Sequence, residues 1–376
     1  MIWLTWRQFR AQAVTAAAVL AAVAILLGTT GPHLASLYAA SGLTGCNGDS
    51  CADLANNFLS QLSTDGLYHV GYTLGLVLIF AAPAMLGIFW GAPLIAREFE
   101  AGTYRLAWNQ SVTRTRWLTV KLALTGLAAM AVTEALALMH AWWADPISKA
   151  IALGGGGASA FGGGRFNWTT FATNGITPLA YAAFAFALGT TAGALVRRTV
   201  PAMAVTLAIF AAVQFVMPLW VRPYVIPPSH TVVSVASLNS LRPQTFPGQP
   251  GAWVLSTATV NAAGQPVTAA PAACDSLTSG KDASEAPYLD CMASHGIRET
   301  ITYQPASRYW PLQWIETGIF LALALALAGL CFWRLDRRRA LRAKGAQGAL
   351  RRGLSAIVTG VTRLVSFLVC AIQHRT

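Results

Sequence analysis

Apolar residues gather along this chain in six long runs: 11–30, 67–95, 118–143, 176–196, 200–221 and 311–333. The hydrocarbon core of a bilayer is about 30 Å thick, so a crossing helix needs about 20 largely apolar residues. Each run supplies them. Each is also apolar on every face, which a surface helix is not. The pattern predicts an all-α polytopic membrane protein with six transmembrane helices. Between the fifth and sixth runs the period changes. Residues 231–237 and 253–260 are rich in β-formers, 261–266 reads as a turn, 290–296 as a helix and 299–303 as a strand. A small α+β domain is therefore expected across 222–310, between helices five and six.

Composition agrees with this reading. Charged residues make up 11% of the 376 positions, against about 25% in soluble domains, and the mean hydropathy is +0.51. The net charge of +12 resembles a nucleic-acid signature until the charges are placed. With the N-terminus inside, 19 of the 26 basic residues fall in inner segments, and residues 31–66, read as the first outer loop, carry none. Lys and Arg beside spans favour the cytoplasmic side. The excess is thus a topology signal with an attraction for anionic lipid, and nucleic acid is not an expected partner. It predicts a multi-pass protein of the cell membrane with both termini cytoplasmic and 222–310 extracellular. Reading the first run as a cleaved secretory signal would leave five spans and misplace the later charges.

The ends carry their own patterns. Trp3, Trp6 and Phe9 recur at helical spacing beside Arg7 and Arg10, which predicts a separate interfacial helix before the first span. Residues 336–376 form a basic tail. Within it, 353–373 is apolar again, either as a seventh span or as a helix flat on the inner leaflet. A span would place Arg363 at mid-bilayer, costing about 2.5–3.5 kcal/mol, so the flat helix is preferred. The Gly-rich stretch 145–174 is expected to be mobile. The turn 197–199 is so short that spans four and five must be antiparallel neighbours. Cys46 with Cys51, and Cys274 with Cys291, form two local pairs in outer segments, as disulfides would. Neither pair has a His at metal-ligand spacing, so no metal site is expected.

The chemistry is sparse. There is no Gly-x-x-x-x-Gly-Lys-Ser/Thr phosphate loop, no Gly-x-Ser-x-Gly and no His-Glu-x-x-His, so nothing points to catalysis by this chain. Glu134 is the acid deepest within a run, and such groups are costly in a membrane. It reads as a substrate-path group or as a hydrogen-bonded packing acid. Glu316, nearer the outer end of its run, reads as wetted. The sharpest feature is the inner segment 96–116. It holds Arg97, Glu98, Glu100, Gly102 and Thr103, a break near Asn109, and a basic start to the next span at Arg114–Lys121.

That segment resembles the coupling region of type-2 ABC transporter permeases. The order of six spans, inner termini and a large outer segment before the last span fits the same family over residues 1–335. Residues 303–310 look like an actinobacterial subset. The resemblance implies a membrane subunit of an ABC exporter that works with a separate ATP-binding subunit and a second permease chain, as a homodimer or heterodimer. ATP and magnesium would sit on the partner and no cofactor on this chain. It also implies ATPase coupling by Arg97, Glu98, Glu100, Gly102, Thr103 and Asn109. The Gly-rich segment and the amphipathic tail depart from the family pattern, and the cargo is not named. Two other classes remain open: a proton- or ion-coupled carrier using Glu134, and a non-transporting sensor or anchor with 222–310 as receptor.

Overall fold

The computed structural model describes residues 2–46, 50–102, 113–153, 160–235, 251–267, 270–275 and 285–342. Six helices in it are long and apolar enough to cross a membrane. The first, α1 (Ile2–Ala40), is followed by a short amphipathic helix, α2 (Ser50–Thr64). The second span is α3 (Gly66–Leu86), a π-turn at Gly87–Gly91 and α4 (Ala92–Ala101). The third is α5 (Arg114–Trp143), followed by α6 (Asp145–Ala152) and α7 (Trp168–Thr173). Next come α8 (Thr177–Val196) and α9 (Thr199–Val216), the latter continuing through a π-turn at Met217–Val221 into α10 (Arg222–Val225). Beyond β1 (Ser229–Ser234) and β2 (Trp253–Val260) lie α11 (Ala272–Asp275) and α12 (Glu285–Ser294). The chain then passes through β3 (Arg298–Gln304) into the last span, α13 (Tyr309–Arg342).

The centre of the bundle is α8. It packs against α3, α4, α5, α9 and α13, and 83% of its most apolar window is buried, against 6% for α1. Its small residues make this possible. Gly87 and Gly91 on the π-turn meet Gly189 on α8, and Gly193 one turn on meets Ala92; the two glycines on each side are spaced as Gly-x-x-x-Gly. A Cβ built on Gly87 would lie 2.6 Å from the Ala185 carbonyl oxygen, and one on Gly91 would lie 2.7 Å from that of Phe186. In lipid there is no hydrophobic drive between helices, so close backbone approach at small residues supplies the packing. Thr191 adds a tie, donating to the Leu327 carbonyl of α13 at 3.0 Å.

The helices alternate in direction, which gives the bundle two ends. At one end α1, α5 and α9 begin, and α4, α8 and α13 finish. At the other lies the sheet, antiparallel with order β1-β3-β2. A core of Val235, Cys274, Met292 and Ile297 sits beside it, with the Cys274–Cys291 disulfide closing that core. Cys46–Cys51 closes the turn before α2. Both pairs follow the local pairing expected from the sequence. Exposed Trp residues mark both ends: Trp3 and Trp6 at the first, Trp142, Trp310 and Trp314 at the second. Such belts sit at the two membrane–water interfaces.

Two expectations need correction. Residues 2–10 are not a separate interfacial helix but the first turns of α1. Phe9 seats edge-on against Trp90, with ring centroids 4.8 Å apart, and Gln12 donates to the Phe89 carbonyl. No breaker divides the two segments, so one helix runs through both. Residues 31–66, expected as a loop, are also mostly helical. Helix α1 continues past Pro32 to Ala40 because Leu34 is fully buried in a cluster with α2 and α6, and packing there overrides the proline's cost. Of the Gly-rich stretch, 154–159 lie outside the described residues, and beyond them Phe161 and Phe166 are buried. The tail helix expected at 353–373 lies outside the described residues, as does the rest of the chain after Arg342.

Candidate functional site at the two ends of the bundle

The resemblance directs attention first to the end where α4 finishes. Helix α4 stops at Gly102, whose left-handed φ of 69° suits glycine after a helix. Thr113 caps α5, accepting the Arg116 N–H. Thr103 and Asn109 fall between, at 103–112, outside the described residues. Two acids on α4 face in different directions and grip different spans. Glu98 forms an ion pair with Lys121 of α5, whose ammonium also lies 4.9 Å from the centre of the Trp117 ring. Lys121 is only 3% exposed. Glu100 reaches the start of α9 and accepts from the Thr199 N–H at 3.0 Å and the Thr199 hydroxyl at 2.6 Å. No side chain of α9 caps its own N-terminus, so Glu100 satisfies an orphan N–H from another helix. The tight turn before α9 is held at Arg197, in the left-handed region at φ 60°, with its guanidinium 5.5 Å from the centre of the Phe99 ring. The end of span two is thereby tied to the starts of spans three and five.

Beside this junction, between α1, α4 and α5, is a cleft of about 290 Å³ lined by Phe9, Gln12, Trp90, Arg97, Glu98 and Lys121 among others. Arg97 is exposed at its edge.

At the sheet end lies a second ionic cluster that the sequence reading did not find. Arg222 opens α10 and is 2% exposed. Its Nε donates to Glu316 Oε2 at 2.8 Å and its Nη2 to Glu316 Oε1 at 2.9 Å. The Tyr181 hydroxyl of α8 donates to the same carboxylate and receives Arg222 Nη2 at 3.3 Å. The guanidinium carbon sits 4.0 Å from the centre of the Phe171 ring. Glu316 is 2% exposed, which corrects its reading as a wetted residue. Arg222, expected as the first residue of the 222–310 domain, is instead buried against span six. The fork-to-fork geometry is what a buried Arg–carboxylate pair requires. One turn earlier on α13, Gln313 accepts from the N–H groups of Ile176 and Thr177 at the start of α8, and donates to the carbonyls of Phe171 and Asn174. A polar stripe on α13 thus holds the ends of spans four and five. The signal available in sequence was the spacing Gln313, Glu316, Thr317 on one face of an apolar run.

Glu134 belongs to neither cluster. It is half-buried on α5, where its carboxylate accepts the Leu179 N–H in the first turn of α8, and Oε2 has no hydrogen-bond partner. A negative charge there suits the positive end of a helix. His295 lies closer to the second cysteine pair than its spacing suggested, with Nδ1 3.9 Å from Cys274 Sγ. Both sulfurs are in the disulfide, so they are not thiolate ligands.

Residues 17–222 match the family described as ABC-2 membrane transporter related. The chain belongs to that family. The ABC-2 match takes in the first five spans, the junction at Glu98 and Glu100, and the glycine crossing. It ends at Arg222, so the sheet and α13 lie beyond it. No curated protein and no solved structure matches the chain. ABC-2 membership and six apolar helices make this a multi-pass membrane protein of a transporter permease family.

Proposed function

We propose that this chain is the membrane subunit of an ATP-driven exporter, with hydrolysis carried out on a separate ATP-binding subunit and this chain itself no enzyme. The observation that carries the reading is the junction at the end of α4. Glu98 and Glu100 bind spans three and five respectively, so a displacement of 96–116 by a partner moves three spans together. In this reading that end faces the cytoplasm, both termini lie inside, and the 222–310 domain lies outside. The basic residues of the sequence support this orientation. Two permease chains, alike or different, assemble with two ATP-binding chains, which hold ATP and magnesium. The partner must bind the two conformations of the permease with different affinities, because otherwise hydrolysis drives nothing.

The test is reconstitution with the ATP-binding subunit, with ATP hydrolysis and export measured side by side. The double variant Glu98→Ala/Glu100→Ala keeps hydrolysis and loses export. Full export by that variant removes these residues from the mechanism. A cysteine placed at Thr103 is labelled by impermeant reagents only from the cytoplasmic side, and labelling from outside intact cells overturns the orientation.

A further inference from the structure

The cleft beside Lys121 has the make-up of an amphiphile site rather than a gap in packing. Its apolar wall is Phe9 and Trp90, set edge to face within a cluster that includes Leu86 and Phe186. Its polar side carries Arg97, Glu98 and Lys121. Glu98 neutralises one of the two cations, which leaves one positive charge in excess. The depth of the cleft is fixed by three helices independently. On α1, Trp3 and Trp6 are exposed, with Arg7 stacked 5.6 Å from the Trp3 ring centre. On α4, Arg97 and Glu100 are exposed, and on α5, Arg116 is exposed. Exposed Trp and Arg at one level mark the headgroup region of a membrane. The molecule that meets a half-apolar, singly cationic cleft at that depth is an anionic phospholipid.

We propose that this cleft binds the phosphodiester headgroup of an anionic phospholipid, with Arg97 and Lys121 as the anion's ligands and its first acyl carbons against Phe9 and Trp90. Charge-assisted contacts to phosphate are strong where they are partly desolvated, and Lys121 is almost fully so. The bound phosphate shares Lys121 with Glu98, which places lipid in contact with the tie between spans two and three. The proposal does not depend on transport, since a chain that carries nothing binds lipid here equally.

The test uses the full chain, purified in detergent, stripped of lipid and titrated with phosphatidylglycerol or phosphatidylcholine, with bound lipid counted by native mass spectrometry. Preferential retention of phosphatidylglycerol is expected. Arg97→Gln weakens it about tenfold. Ala101→Trp, which keeps every charge and fills the cleft from its lining, abolishes it. Both variants must retain the wild-type melting temperature and elution volume, and Arg97→Lys, which keeps the charge, restores part of the retention. Equal retention of both lipids, or phosphatidylglycerol binding untouched by Arg97→Gln and Ala101→Trp, overturns the proposal. Inorganic phosphate at millimolar concentration fails to displace the lipid if chain and headgroup both bind. Displacement by phosphate alone shows a simple anion site and overturns the lipid assignment.

Discussion

Among the described residues two ion pairs join different spans, Arg222–Glu316 and Lys121–Glu98; they sit at opposite ends of the bundle and differ in what surrounds them. At the sheet end the carboxylate is saturated by the Arg222 fork and the Tyr181 hydroxyl, an aromatic ring covers the guanidinium, and both side chains are at most 2% exposed. At the other end the lysine side chain is 4% exposed and the glutamate 14%, and the pair borders a cleft. Two charges taken out of water repay their desolvation only with near-complete hydrogen bonding. At the sheet end the Glu316 carboxylate meets that condition, although Arg222 Nη1 has no hydrogen-bond partner, and the cluster binds helices from spans four, five and six into one unit. The Lys121 pair meets it in part, and the part left open is where a ligand or a partner can act. One end is built to hold and the other to respond.

Single substitutions at the sheet end sharpen this contrast most. Arg222→Ala leaves Glu316 buried without a counter-charge, and a loss of about 3–5 kcal/mol is expected, read as the drop in unfolding midpoint in detergent. Arg222→Met with Glu316→Leu removes both charges and recovers most of that loss. A double variant as unstable as the single one means that the cluster does more than neutralise itself. Between the two ends, Gly189→Ala forces a methyl against the π-turn backbone and costs about 1–3 kcal/mol. Crosslinking between cysteines on α3 and α8 should weaken in parallel. At the cleft, Lys121→Met costs about 1–2 kcal/mol, because water still reaches Glu98. A loss as large as that of Arg222→Ala removes the distinction between the ends. The smallest stability effect belongs to Glu100→Ala. Glu100 is exposed and Thr199 half-buried, so the melting temperature stays nearly unchanged while coupling of hydrolysis to export falls. A large drop in melting temperature here makes Glu100 a structural cap instead.

Much of the architecture was written in the order of residues. Each of the six apolar runs contains a spanning helix, strand β2 at Trp253–Val260 matches its expected bounds, and both cysteine pairs closed locally. The junction residues Arg97, Glu98, Glu100 and Gly102 stood out as a motif, but their partners did not. Nothing near Glu98 in sequence names Lys121, 23 residues on, and nothing near Glu100 names Thr199, 99 residues on. The Gly-x-x-x-Gly pairs at Gly87–Gly91 and Gly189–Gly193 were visible as spacing, yet a glycine pair acquires meaning only when a second helix arrives against it.

The sequence by itself determined what this chain must do with water. Six stretches cannot stay in it, and a β-patterned insert and a basic set of ends cannot leave it. This follows from local composition, because transfer into lipid is a sum over single residues. What only the tertiary structure decided is where a charge can afford to be. Arg222 and Glu316, 94 residues apart, read separately as the first residue of a small domain and a wetted acid. Brought together between spans four, five and six they become a dry, charge-paired cluster, because the cost of burying a charge depends on its partner, and that partner is set by the fold.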